Sequence, residues 1–186
     1  ATDEKNEEDT QAVIVTGDRD ALQLIKDKRV VVYLPIHNRY SQSEVFDEDR
    51  VIEVYGLRPD QMIDLKALMG DASDNIPGVK GVGKVTATKL IQDFGTLKNL
   101  YKKLDDERIK PRTRIMLESG RDIAWKSREL AEIDRHVPLD FDWESCLLTN
   151  YDKDKAVKLF EELSFKSLIG KLPSDEWEKT AEEVFL

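Results

Sequence analysis

The sequence predicts an α/β protein: a partial, largely parallel sheet near the N-terminus, followed by a mostly helical region. Two short runs rich in β-branched residues, "AVIV" and "RVVVYL", flank a brief helical stretch, "DALQLI". Strand, helix and strand in such quick order are the unit of a parallel sheet. From Asp47 onward, by contrast, apolar residues recur at helical spacing.

In chain order, the polar, acidic opening "ATDEKNEEDT" reads as a helix end, a loop or a frayed terminus. The strand from Ala12 to Thr16 then stops abruptly at Gly17 and an aspartate pair. "NRYSQSEVF" reads as a hairpin return or an edge strand. "DEDRVIEVYG" carries acidic residues in its first turn and Gly56 beyond its last, as a helix dipole and a C-terminal cap require. Pro59 opens the helix "PDQMIDLKALMG", where a first-turn proline is tolerated. A further helix puts Val82, Ala87, Leu90, Ile91 and Phe94 on one face and stops at Gly95. "TLKNLYKKL", "PRTRIMLESGRDIAWKSRELAEI" and "DKDKAVKLFEELSFKSLIGKL" are helical in pattern, and "PSDEWEKTAEEVFL" reads as an acidic linker.

The chain has 186 residues and a net charge of −9, which argues against a protein that coats nucleic acid with its whole surface. The charge is uneven, however. Residues Ile76 to Arg114 carry +6 and the remainder −15. Phosphate binding needs only such a local positive field. No apolar run approaches a membrane span. The single cysteine, Cys146, fits a reducing compartment, so a cytoplasmic location is expected.

Chemistry concentrates in two aspartate pairs and a glycine loop. "TGDRD" places Asp18 and Asp20 just past a strand end, where ligands of open α/β sheets gather. Taken singly, Asp18 is more simply a helix cap, and Asp71 and Asp74 of "GDASDN" are turn residues. Taken together, four carboxylates beside a phosphate loop suit Mg²⁺ or Mn²⁺, hard cations that take oxygen ligands. Two such ions would activate water and stabilise the departing oxygen of a phosphodiester. An EF-hand fails on spacing: Val82 stands twelfth from Asp71, and Lys155 occupies the glycine position of a loop counted from Asn150. His37 and His136 are isolated.

"PGVKGVGK" lacks the Walker spacing, since Val85 follows Gly83-Lys84, and it follows a helix rather than a strand. What remains is helix, tight glycine loop, helix. Gly78, Gly81, Val82 and Gly83 let backbone approach a phosphate at the positive end of the second helix, with Lys80, Lys84 and Lys89 adding charge. Such a grip reads no base identity. The plain alternative is an αα-hairpin with glycines for turn geometry.

"TGDRDALQLI", "YGLRPDQMIDLKALMGDASDNIPGVKGVGKVTATKLIQDFGTL" and "LSFKSLIGKL" resemble the 5′-nuclease domain of bacterial DNA polymerase I, within the flap endonuclease superfamily. The resemblance runs from about Gln11 to Pro173. It implies a metal-dependent, structure-specific 5′-3′ exonuclease acting on 5′ flaps, nicks and RNA primers in bacterial, nucleoid-associated replication and repair. It implies that Asp18, Asp20, Asp71 and Asp74 are metal-binding and catalytic, and that "IPGVKGVGK" is a helix-hairpin-helix element, often holding K⁺. It further implies a C-terminal portion of the α/β nuclease core (a PIN-like sheet) over residues 1–58, a helical DNA-binding subdomain over 59–173, and a linker over 174–186 towards a polymerase domain. Such a domain begins with another metal aspartate, a basic arch and a Glu-x-Asp-Asp cluster, none of which this sequence contains. A non-catalytic module that binds duplex DNA through the hairpin alone is therefore the alternative, and a phosphate-binding domain unrelated to DNA a third reading.

Overall fold

The structure, a computed structural model, describes residues 10–35, 43–142 and 152–172. Cys146, His37, the acidic opening and the expected linker lie outside these residues. The described chain divides after His136 into two compact units.

In the first unit, β1 (Ala12–Val15) and β2 (Val30–Leu34) pair in parallel, with Ala12 opposite Val30. A 3-10 turn, Arg19–Leu24, joins them, and its Ala21 and Leu22 are buried. β3 (Glu44–Phe46) pairs antiparallel with β2, giving the order β1-β2-β3. The sheet is thus mixed, and the edge-strand reading of "NRYSQSEVF" holds for Glu44–Phe46, while residues 38–42 lie outside the described ones. β2 is the central strand of the three and buries four of its five residues.

Helix α1 (Glu48–Tyr55) is capped by Asp47, whose carboxylate accepts the Arg50 N–H at 2.8 Å, and ends at Gly56 in the left-handed region. A 3-10 turn from Pro59 leads into α2 (Met62–Met69). α3 (Lys84–Phe94) buries Ala87, Leu90, Ile91 and Phe94, the face expected from sequence, and Val82 joins them in the core. α4 (Leu97–Lys102) is capped by Thr96.

The long helical run after Pro111 is two helices, α5 (Pro111–Ser119) and α6 (Arg121–Ala131). The break falls at Gly120, where a Cβ would lie 2.7 Å from Val79 Cγ1 of the glycine loop. Close approach of that loop leaves no room for a side chain at the junction, and glycine is itself a poor helix former.

The expected division at 58/59 is not a break in packing. Val32 and Phe46 of the sheet share one hydrophobic core with Leu65, Ala87, Leu117 and Ala124. Three short strands bury too little apolar surface to stand alone, so the helices complete their core.

The second unit contains α7 (Lys153–Glu162), capped by Asp152, and α8 (Lys166–Ile169). Phe160 and Phe165 meet edge to face, with ring centres 6.2 Å apart. Among the described residues, no helix is long and apolar enough to cross a membrane.

Candidate metal centre and nucleic-acid interface

Two chain segments bring carboxylates together. After β1, Thr16 Oγ1 accepts the Asp18 N–H at 3.0 Å, and Asp18 Oδ1 accepts the Asp20 N–H at 2.9 Å. Asp18 therefore caps the 3-10 turn, and the turn delivers Asp20. The second segment is a loop closed by reciprocal Asp71 and Ile76 backbone bonds, both 2.8 Å, with Asn75 in the left-handed region. It presents Asp71 and Asp74 side by side.

One carboxylate oxygen from each of Asp20, Asp71 and Asp74 lies within 4.8 Å of the others. Three of the four expected aspartates converge. Asp18 is not among the three, and its Oδ1 accepts the Asp20 N–H.

At the centre of the three stands a residue that sequence reasoning missed. Lys66 of α2 bonds Asp20 through Nζ, meets Asp71 Oδ2 at 2.7 Å and Asp74 Oδ2 at 3.7 Å. Burial alone would push the Lys66 ammonium down, but its bonds to Asp20 and Asp71 outweigh that and hold it above its usual range. The same contact, with help from Ser73, holds the Asp71 carboxyl at about 2. A signal was present in the sequence. α2 is apolar on nearly every side, so its two charges, Asp64 and Lys66, required partners.

Asp64 is buried, accepting the Leu97 N–H at 2.8 Å and Arg128 Nε at 2.9 Å. Further links run through α6. Ser127 Oγ accepts the Gly78 N–H at 3.0 Å inside the core. The Gln23 amide donates to the Ala131 carbonyl and accepts the Ile133 N–H, each at 3.0 Å.

The glycine loop sorts its residues by role. Gly78 and Val82, expected at the DNA surface, are buried, and their N–H groups are engaged by Ser127 Oγ and the Val79 carbonyl. Lys80, Gly81, Gly83, Lys84 and Lys89 are exposed. Gly81 has φ +87° and rests against Met116, so its glycine serves the fold. Gly83 has φ −91°, and a Cβ added there would meet nothing within 4 Å, so the fold itself does not require glycine at this position. No side chain caps α3, so its leading N–H groups face outward beside two lysines. Lys84 Nζ also sits 5.5 Å from the Tyr55 ring centre, and Lys89 is partly neutralised by Asp93 at 3.3 Å.

A family model described as 5′-3′ exonuclease, C-terminal SAM fold, matches residues 57–154. The chain belongs to that family. DNA polymerase I of Caldicellulosiruptor bescii is 40% identical over 162 residues, which are 86% of this chain and 19% of that protein. DNA polymerase I of Bacillus caldotenax is 38% identical over 179 residues, 93% of this chain and 20% of that protein. The chain thus spans about a fifth of the length of these relatives. T5 5′-exonuclease, solved with divalent zinc ions bound, shares the fold: the TM-score is 0.56 at 24% identity, covering 65% of this chain and 42% of that one.

Proposed function

We propose that this chain is part of a metal-dependent, structure-specific 5′-nuclease of the polymerase I type, acting on DNA with a 5′ flap, a nick or an RNA primer. The observation that carries the reading is the convergence of Asp20, Asp71 and Asp74 around one ammonium, since a stand-in cation occupies their centre. An all-carboxylate donor set fits Mg²⁺ or Mn²⁺ and lacks the thiolate or imidazole that a softer ion prefers. A bound divalent ion would supply charge stabilisation at the scissile phosphate and lower the pKa of a coordinated water.

The chain's own residues divide the remaining work. Asp20, Asp71 and Asp74 hold the ion, while Asp18 fixes the turn that aims Asp20. Exposed Lys80 and Lys84, with the N–H groups of α3 and backbone at Gly81 and Gly83, grip duplex phosphates without reading sequence. A K⁺ ion at that hairpin would add to the grip. The related polymerases support a polymerase domain as the neighbour in the longer protein and a bacterial cytoplasmic, nucleoid-associated setting.

The test is a flap substrate offered to the purified chain with Mg²⁺ and, separately, in EDTA. Sequence-independent binding in EDTA and slow or absent cleavage are expected, because the Glu-x-Asp-Asp cluster of the resemblance is not in this sequence. Appending that segment should restore cleavage, and Asp71→Asn should abolish it. Restored cleavage that survives Asp71→Asn would sink the site assignment.

A further inference from the structure

We propose that Lys66 is an exchangeable internal counter-cation: its ammonium holds the divalent ion's place among Asp20, Asp71 and Asp74 and withdraws when that ion binds. The inference rests on the reading of these three aspartates as a divalent-cation site.

Geometry supports it first. The Lys66 side chain is 12% exposed, and its ammonium lies at bonding distance from Asp20 and Asp71 and within 3.7 Å of Asp74. An ammonium has three N–H donors, and here three carboxylates surround it. The ammonium already contacts all three carboxylates, so a divalent ion held by the same groups would lie close beside it.

Charge makes coexistence costly. Like charges at such a separation repel strongly in a partly desolvated site. One of the two cations must leave. The flexible four-carbon stem of lysine lets the ammonium swing out with no movement of the α2 backbone, and Asp74, half exposed, marks the open side.

The arrangement has a use in each state. Without the ion, three converging carboxylates would repel one another, and Lys66 removes that penalty. With the ion bound, a released ammonium stands at the rim of the site, where a phosphate would approach. Divalent affinity is lowered by whatever free energy the ammonium contributes in place.

Two measurements test this, and neither reads activity. In the first, Mn²⁺ binding is followed by electron paramagnetic resonance for the parent chain, Lys66→Met and Asp71→Asn. Lys66→Met should bind Mn²⁺ roughly tenfold tighter or more, as removal of a close like charge requires. In the second, acetylation of lysines on the folded parent is mapped by mass spectrometry. Lys66 should react slowly without metal, and faster once Mn²⁺ saturates, while exposed Lys98 keeps its rate. If Mn²⁺ binds the parent and is lost in Asp71→Asn, yet Lys66 stays protected throughout, the exchange is wrong and the site stands. If neither the parent nor Lys66→Met binds Mn²⁺, site and exchange fall together. Should Lys66→Met not fold, the acetylation map decides alone.

Discussion

Gly78 lies against Gly70 so closely that a Cβ on Gly78 would sit 2.2 Å from the Gly70 nitrogen. The two glycines form the neck of the loop that carries Asp71 and Asp74. Gly78, at φ +61°, is also where the glycine loop begins, so the carboxylate turn and the proposed hairpin meet in one backbone crossing.

Replacing Gly78 by Ala should therefore cost about 3 kcal/mol or more, from a backbone clash added to a left-handed φ. Gly83→Ala, with an ordinary φ and open space, should cost under about 1 kcal/mol. Urea unfolding of both variants checks the contrast. Equal losses would show that the neck is not rigid.

Because Gly83→Ala leaves the fold intact, it isolates contact with DNA. Its duplex affinity in EDTA with K⁺ should fall if phosphate comes within reach of that backbone. Lys80→Ala and Lys84→Ala should each weaken binding mildly and flatten the salt dependence by up to about one counterion. Titrations at several salt concentrations with two unrelated duplexes read all three effects. Parent-like affinity in the Gly83 variant would reduce the loop to a turn.

Tyr101 gives a stability signal at high pH. Burial pushes its phenol up to about 12 against Arg121, which pulls the other way, and its O–H donates to the Leu117 carbonyl at 3.2 Å. A folded pKa above the unfolded value of about 10 means that the stabilisation is complete below pH 10 and lost as pH rises towards 12. The loss should reach about 2–3 kcal/mol for that single group. Denaturant melts from pH 9 to 12 on the parent and Tyr101→Phe check it, and the variant should lack this component.

The Asp64–Arg128 pair should behave unlike the exposed pairs. Asp64→Ala leaves Arg128 without its buried partner and the Leu97 N–H without an acceptor, so about 3 kcal/mol should be lost. Asp60→Ala, which removes an exposed partner of Arg58, should change stability by less than about 1 kcal/mol. Thermal melts of the two variants suffice.

Local chemistry explains what the sequence revealed. Asp47 and Gly56 bound α1 as cap rules require, and the apolar face of α3 follows directly from its 3.6-residue period. The aspartate pairs were visible because Asp-rich turns stand out at a strand end and beside glycines. The distinction between Asp18 and Asp20 was not visible, because it depends on which of the two carboxylates the 3-10 turn carries to Lys66. Nor did spacing show that Gly78 and Gly120 are glycines for packing: Gly78 meets Gly70 across the closed Asp71–Ile76 turn, and Gly120 meets Val79, about forty residues earlier in the chain. Lys66 was legible in principle, as a lone cation in an apolar helix, but its partners were set by tertiary packing.

The bonds converging on α6 have a dynamic consequence. Ser127 holds the start of the glycine loop, Arg128 holds α2, and the end of the helix holds the Gln23 turn that follows Asp20. If α6 detaches, all three anchors go at once, so the carboxylate cluster and the loop belong to a single cooperative opening unit. Hydrogen exchange should then give the Gly78 and Ile133 amides one common opening free energy. The carboxylate cluster and the glycine loop would melt as a whole rather than loosen residue by residue.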